Sequence, residues 1–473
     1  MNHRGRWIGL MVVILTSVVA LASARDYAGS WNDGSRLATV ECLVDYHTLA
    51  IDQSVFVDVP QGDGPSPYPA WEPDLVRTGT GDKLRIDGRF YSDKSPVPAL
   101  LLASAYQSWR WAAGPSARER PDLFCWSMTI LSSGVAYVVA VWSIYRVGGA
   151  LLLPATSNLL ITFGFAFATV ALPYTEHVNN HSLLLGVAAP LFLALTLLAE
   201  RVRAGRPVNL LAVGIGSLVG LGYTIDLGAG PVLLAGTGLL ILYRCRSVAT
   251  AAAFTLSALP WLVLHHAVNY AVGGTFKPVN AVPEYFLWPG CSFNPANLTG
   301  GWQHPSVWHF LRYAGELLAG KKGFLGHNPA LFLLVPALLL LPRRQFAEWP
   351  EAALALFWSV GTWLAYAATS NNASGLCCSV RWFVPLLAPG FYVVALLLRE
   401  CPGYRTEFLL LSGWGAALAC VMCWYGPWMK HMVPFYWVFQ GGILLSWVVL
   451  MIHRGPRKSA AVIKERAWHA DAA

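Results

Sequence analysis

The side chains best suited to chemistry lie in one polar stretch near the start of the sequence, residues 31–98. Asp33 stands in the run Asn-Asp-Gly-Ser-Arg, and Asp93 and Lys94 are neighbours in the run Tyr-Ser-Asp-Lys-Ser-Pro. A carboxylate can take a proton from a substrate hydroxyl, and a lysine can bind a phosphate oxygen. The stretch is therefore the candidate active site. Structural uses stay open at this point: a turn or helix N-cap for Asp33, and a solvated ion pair for Asp93 and Lys94.

The elements that must position these residues are membrane-spanning helices. Of the 473 residues, 55% are hydrophobic and only 12% are charged, whereas soluble domains carry about 25% charged residues. Many apolar runs reach about 17–24 residues, and roughly 20 helical residues cross the bilayer core of about 30 Å. The net charge of +8 comes from basic residues in short loops, so it indicates topology rather than binding to nucleic acid. The sequence predicts an all-α polytopic membrane protein, folded as a single domain over residues 1–473.

Basic loops decide the topology, which depends on whether the apolar residues 97–113 cross the membrane. If they do not cross, the basic loops between the later apolar runs all face the cytoplasm, and if they cross, every one of these loops inverts. The positive-inside rule therefore favours about 12 spans (11–13) with both termini in the cytoplasm. The spans are predicted at about residues 7–24, 123–145, 151–171, 182–199, 209–225, 227–242, 248–268, 330–341, 352–369, 382–398, 407–424 and 435–452.

Two long segments are then expected on the outer side. Residues 25–122 form the first outer loop, and residues 269–328 form the second, with a surface helix at Val307–Ala319. In the first loop, residues 35–46 and 97–113 are predicted to be juxtamembrane helices that lie on the membrane surface, with the charged side chains of the first facing water.

Further ionisable residues collect at the same outer helix ends. A charged side chain near a helix end in a membrane costs a few kcal/mol unless a partner or a substrate uses it, so such residues are functional candidates. Interhelical hydrogen bonds and anchoring at the headgroup level are the structural alternatives. The residues concerned are Glu176, His177, His181, Asp226, His265, His266, Lys277 and Arg381.

The order of these motifs resembles the polytopic glycosyltransferases of the C-type fold (GT-C), in particular the group of aminoarabinose transferases and protein O-mannosyltransferases. In that group an acidic residue in the first outer loop precedes an Asp-Lys-Pro-like motif, as Asp33 here precedes residues 91–96. Two positions depart from the pattern, since Ser95 replaces a proline and Trp382 replaces a tyrosine. Further agreement comes from residues 174–181, 320–324 and 381–386.

The resemblance implies a GT-C-like fold and a sugar transfer. Such enzymes move a hexosyl or pentosyl group from a polyprenyl-phosphate donor to an acceptor on the outer face, with inversion. A single displacement needs a base for the acceptor proton, and Asp33 is the candidate. Lys94 and Arg381 are expected to bind the lipid phosphate, with Lys277 as a weaker candidate. Whether the acceptor is a lipid, a glycan or a protein stays open.

The remaining outer residues are expected to support this site. Asp93, Glu176, His177 and His181 are the supporting acidic and polar residues. By analogy with some relatives, Asp93 together with His265 or His266 is the candidate set for a divalent metal ion, and no other cofactor is implied.

A secondary transporter or a lipid-carrier flippase is the alternative function, because about twelve spans are also typical of transporters. Transporters usually show internal repeats and polar breaks at the middle of the membrane. Here the charges lie at the outer rim, which favours a glycosyltransferase of the cell envelope. The compact loops predict a bacterial inner membrane, with the active site facing the periplasm.

Overall fold

The apolar runs fold into helices, which satisfy their own backbone hydrogen bonds within lipid. The computed structural model describes residues 3–62, 64–293, 298 and 300–454. Its elements are α1 (His3–Ser23), α2 (Trp31–Asp45), α3 (Pro73–Thr78), β1 (Lys83–Ile86), β2 (Arg89–Ser92), α4 (Pro96–Trp111), α5 (Pro121–Thr129), α6 (Val135–Ala150), α7 (Ala155–Phe167), α8 (Asn180–Arg203), α9 (Asn209–Ile225), α10 (Gly230–Cys245), α11 (Val248–Gly273), α12 (Val307–Ala319), α13 (Phe324–His327), α14 (Leu334–Leu340), α15 (Trp349–Thr369), α16 (Leu387–Glu400), α17 (Arg405–Tyr425) and α18 (Tyr436–Arg454).

The described residues include seven helices that are long and apolar enough to cross a membrane, or eight if one pair bent by 107° counts as a span. Four shorter apolar helices, α1, α7, α9 and α10, would bring the number to eleven or twelve if they also cross. The polytopic helical architecture is confirmed, and the count of about 12 spans stays a prediction. α4, with 16 residues, is not among these helices, and whether it crosses is likewise untested.

The two outer loops also stay predictions as topological units. In the second, residues 294–297 and 299 lie outside the described residues. The predicted surface helix of that loop is present as α12, with the predicted bounds.

The central helices of the bundle are α8 and the unit formed by the 3₁₀ turn Arg381–Leu386 and α16. In the apolar part of residues 381–400, 94% of the residues are buried, and in the apolar part of α8, 78% are buried. His181 in the first turn of α8 and Arg381 at the start of the other unit both lie close enough to Arg36 of α2 to interact with it electrostatically, so the most buried helices of the bundle carry polar residues of the candidate site.

The helix predicted at residues 35–46 is present, but its side chains Arg36 and Glu41 do not face water, and its position relative to the membrane stays a prediction. The helix is α2, and twelve of its fifteen residues are buried, including Arg36 and Glu41. Oε2 of Glu41 accepts hydrogen bonds from Oγ of Ser54 and the backbone N–H of Val55, at 2.5 and 3.0 Å. The chain after α2 folds back over the helix and supplies polar partners, so its charged side chains need neither water nor lipid headgroups.

Glu41 makes the stability of this loop depend on pH. Burial raises the pKa of Glu41 to about 7, against roughly 4.3 in an unfolded chain. The folded protein therefore holds a proton that the unfolded chain has released, so this contribution to stability falls as the pH rises from about 4.5 to 7. We expect Glu41→Gln to gain stability relative to the wild type between pH 5 and pH 8, by on the order of 3 kcal/mol.

Thermal unfolding in detergent at both pH values measures this difference. The matched control is Glu119→Gln, because Glu119 is exposed on the same loop and hydrogen bonds from Ser116 lower its pKa. A Glu41→Gln variant whose stability changes with pH as the wild type does would contradict the role of this carboxyl group.

Candidate active site

The short hairpin β1–β2 places the Asp93–Lys94 pair. Its turn is Asp87-Gly88, where both residues have positive φ (49° and 82°), as a two-residue hairpin turn requires. The register pairs Lys83 with Ser92, so the residues just outside the strands, Asp82 and Asp93, come to the same end of the hairpin. The sequence therefore builds a pair of carboxylates beside Lys94.

Lys94 is engaged by both of these carboxylates. Its Nζ lies 2.6 Å from Oδ2 of Asp82 and 2.7 Å from Oδ2 of Asp93. Oδ1 of Asp93 is buried without a hydrogen-bond partner. Burial raises the pKa of Asp93, with Lys94 opposing and Asp82 adding to the effect. The three charges sum to −1 when both acids are ionised, so Lys94 can meet a phosphate only if a carboxylate is protonated or moves away.

Asp33 is fully buried at the N-terminus of α2. Its Oδ1 accepts a hydrogen bond from Oγ of Ser30 at 2.5 Å, and its Oδ2 accepts one from the N–H of Gly29 at 2.7 Å. Nδ1 of His177 lies 3.3 Å from Oδ2. Ser30 is the N-cap residue of α2, and an acid three residues later that reaches back to the cap is a variant of the capping box. Asp33 therefore takes part in capping the helix. To act as a base, it must also be accessible to a substrate.

Two guanidinium groups lie near this carboxylate without an acid partner of their own. Arg36, one turn after Asp33, is only 6% exposed and donates to the backbone carbonyl and to Oδ1 of Asn32, both at 2.9 Å. Nε of Arg381 is buried and has no hydrogen-bond partner. Within the part of the chain that the structure describes, neither group forms a salt bridge.

The two guanidinium groups also repel each other. Burial lowers the pKa of Arg36 to about 10; Asp93, Asp82 and Asp33 oppose this effect and Arg381 adds to it, so Arg36 is charged at neutral pH. These acids are near Arg36 but form no salt bridge with it among the described residues, so a bound anion would further stabilise the two neighbouring cations. Arginine binds phosphate through two parallel hydrogen bonds, so this pair can hold a phosphate group. Arg36 was missed as a site residue, although its spacing of three from Asp33 puts both on one helix face.

His181 lies in a second buried acid–imidazole pair at the same end of the bundle. Its Nδ1 is 3.0 Å from Oδ2 of Asp226, and Oδ1 of Asp226 accepts a hydrogen bond from Oη of Tyr366 at 2.5 Å. Arg36 and Arg381 both lie close enough to affect the imidazole electrostatically. The structure thus brings Asp33, His177, His181 and Arg381 into one region of the bundle, and the side of the membrane on which they lie stays a prediction.

Two other predicted site residues are Glu176 and Lys277. Glu176 has a structural partner, and Lys277 is exposed. Glu176 pairs with Arg25, whose Nη2 is 2.8 Å from Oε2, and its backbone carbonyl accepts from the N–H of the same arginine. This double contact ties the chain after α1 to the segment before α8. Lys277 is exposed on the segment that follows α11. Its proposed contact with phosphate stays untested.

The predicted metal ligands do not converge. Nδ1 of His265 faces Oγ of Ser95 at 3.4 Å, whereas the ring nitrogens of His266 meet Oη of Tyr223 and a backbone carbonyl. Asp93 instead faces the lysine next to it. No group of three His, Cys, Asp or Glu side chains suited to a metal ion occurs among the described residues. The predicted set therefore does not assemble a metal site among the described residues, and the reaction proposed for this protein does not use a metal.

Comparisons with known proteins give structural similarity at low sequence identity. No model of a protein family matches the sequence, and no curated protein matches it. The structure of ArnT from Cupriavidus metallidurans bound to undecaprenyl phosphate is similar with a TM-score of 0.49 and 12% identity, over 94% of this chain and 76% of that one. An oligosaccharyltransferase from Archaeoglobus fulgidus in the apo form is similar with a TM-score of 0.48 and 12% identity, over 91% of this chain and 57% of that one.

Proposed function

We propose that this protein is a membrane glycosyltransferase that moves a sugar from a polyprenyl-phosphate donor to an acceptor on the outer face of the membrane. The observation that carries the proposal is the pair of the buried Arg36 and the half-buried Arg381, two neighbouring cations that form no salt bridge among the described residues, with Arg36 close to the carboxylate of Asp33. A phosphate on an apolar tail suits such a site at the end of a bundle of apolar helices. We place the site on the periplasmic side of a bacterial inner membrane, because the basic loops then face the cytoplasm.

The guanidinium pair acts on the leaving group. In the transfer, the bond between the anomeric carbon and the phosphate oxygen breaks, and its electron pair stays on polyprenyl phosphate. Negative charge therefore grows on the phosphate as the transition state is reached. Arg36 and Arg381 meet that charge with hydrogen-bond donors held in place before the reaction, which stabilises the transition state more than the ground state.

The carboxylate of Asp33 acts on the acceptor. An acceptor hydroxyl attacks the anomeric carbon from the face opposite the phosphate, so the configuration inverts, and its proton passes to Asp33. The nearby imidazole of His177, 3.3 Å away, can hold the carboxylate in place. Because Asp33 is buried, the segments that cover it must open for the acceptor.

The experiment is transfer of radiolabelled sugar from a panel of polyprenyl-phosphate sugars, in membranes that contain the wild type or Arg381→Gln. Label that moves to an acceptor with the wild type, and much more slowly with Arg381→Gln at low donor concentration, supports the enzyme class, and the productive donor names the sugar. If no donor is consumed although the protein is folded and binds polyprenyl phosphate, the proposal fails. A translocation assay would then test the flippase alternative.

A further inference from the structure

The segment between the last two helices, residues 426–435, lies over the candidate active site and is called the cover segment here. It is tied to its surroundings at two points. The backbone carbonyl of Pro427 accepts a hydrogen bond from the N–H of Cys378 at 2.9 Å, and Nζ of Lys430 lies 3.2 Å from Oε2 of Glu72. The segment therefore bridges the C-terminal part of the bundle and the loop that encloses α2.

Trp428 of the cover segment contacts the proposed phosphate-binding arginine. Cζ of Arg381 lies 5.5 Å from the centroid of the indole ring, within the range of a cation–π interaction. A carboxylate partner would compete with phosphate for the guanidinium N–H groups, whereas an aromatic face orients the cation and leaves those groups free. Nε of Arg381 is indeed without a partner.

The same indole ring lies against the groups that hold Asp33. A Cβ atom placed on Gly29 would lie 2.6 Å from Cδ1 of Trp428 and 2.7 Å from Cε1 of His177. The ring thus packs directly on the backbone whose N–H donates to Asp33, and its centroid is 6.2 Å from that of the His177 ring. One side chain therefore touches both the cation of the phosphate site and the surroundings of the base.

We infer that Trp428 is a positioning residue, which holds Arg381 against the donor phosphate and closes the surroundings of Asp33 against water. This inference rests on the proposed transfer from a polyprenyl-phosphate donor. The inference gives the cover segment a role in donor binding. The sequence alone does not predict this role, because tryptophan is common at the ends of membrane helices as a membrane anchor.

A double-mutant cycle tests the inference, because coupling between two residues shows as non-additive effects. The variants are Trp428→Ala, Arg381→Ala and the double variant, with KM for the labelled donor and kcat measured for each. We expect Trp428→Ala alone to raise KM by about 3- to 30-fold with a smaller change in kcat. In the Arg381→Ala background the same substitution should leave KM unchanged.

Two further variants guard against a purely structural effect. Trp428→Phe keeps an aromatic face, so its KM for the donor should be closer to that of the wild type than to that of Trp428→Ala. This variant keeps the inference testable even if the alanine variant folds poorly. Trp424→Ala is the matched control, because Trp424 is 84% exposed at the end of α17, and it should behave as the wild type. Additive changes in KM, or a KM that Trp428→Ala leaves at the wild-type value, would overturn the inference.

Failure of this inference can be told apart from failure of the proposed function. If the wild type transfers label and the cycle is additive, the role of Trp428 alone is rejected. If the wild type consumes no donor, the proposed function falls first.

Discussion

Replacement of Arg36 or Arg381 by glutamine weakens the binding of polyprenyl phosphate by about 10- to 100-fold, as expected for loss of a hydrogen bond to a charged group. Arg36 is buried, Arg381 is half-buried, and neither forms a salt bridge among the described residues, so we expect a bound phosphate to neutralise them. Binding of a labelled polyprenyl phosphate to purified protein measures the effect. Arg343→Gln serves as the control, because Arg343 is an exposed arginine near α14, away from the site.

The stability of the same variants separates ligand binding from a structural role. Without the lipid, removing one of two mutually repelling buried charges should leave the thermal stability unchanged or raise it. With the lipid, the wild type should be stabilised and the variants should gain little, since a ligand stabilises in proportion to its affinity. A variant that loses stability without lipid, yet binds it as the wild type does, would show that the arginine is structural.

Replacement of Asp33 by asparagine has the second large effect, a fall in kcat of roughly 10²- to 10⁴-fold, as expected for loss of a general base. Carrier binding should change little, because the phosphate meets Arg36 and Arg381 instead. Single-turnover transfer from the labelled donor, together with the binding assay, measures the two quantities separately.

The capping role of Asp33 requires its own control. Ser30→Ala removes the hydrogen bond from Oγ of Ser30 to Asp33 and should cost about 1 kcal/mol of stability, while the carboxylate stays in place. We expect this variant to keep most of its turnover. Equal loss of activity in Ser30→Ala and Asp33→Asn would assign Asp33 to helix capping, and near-normal turnover of Asp33→Asn would remove it from the mechanism.

The helices were largely predictable because apolar runs and their polar ends are local features. α9 (Asn209–Ile225) and α12 (Val307–Ala319) have the predicted bounds. The environment of α2 was not predictable in this way. Arg36 finds its partner Asn32 one turn earlier in the same helix, whereas only the fold brings Ser54 to Glu41.

The candidate site was only partly predictable. The topology predicted that Asp33, His177 and Arg381 lie near one another, and the structure brings them together, while their roles and the side of the membrane stay predictions. The pairing of Lys94 with Asp82 depends on the register of a hairpin, which the Asp-Gly turn alone does not fix. The contact of Trp428 with Arg381 joins segments about fifty residues apart, and no local pattern indicates it.

An experimental structure of this protein in complex with polyprenyl phosphate would show directly whether the two arginines bind the phosphate. We expect the phosphate oxygens to lie within about 3 Å of nitrogen atoms of both Arg36 and Arg381, with the prenyl tail directed into the membrane. A phosphate bound elsewhere, while these two arginines form salt bridges with carboxylates, would contradict the central claim.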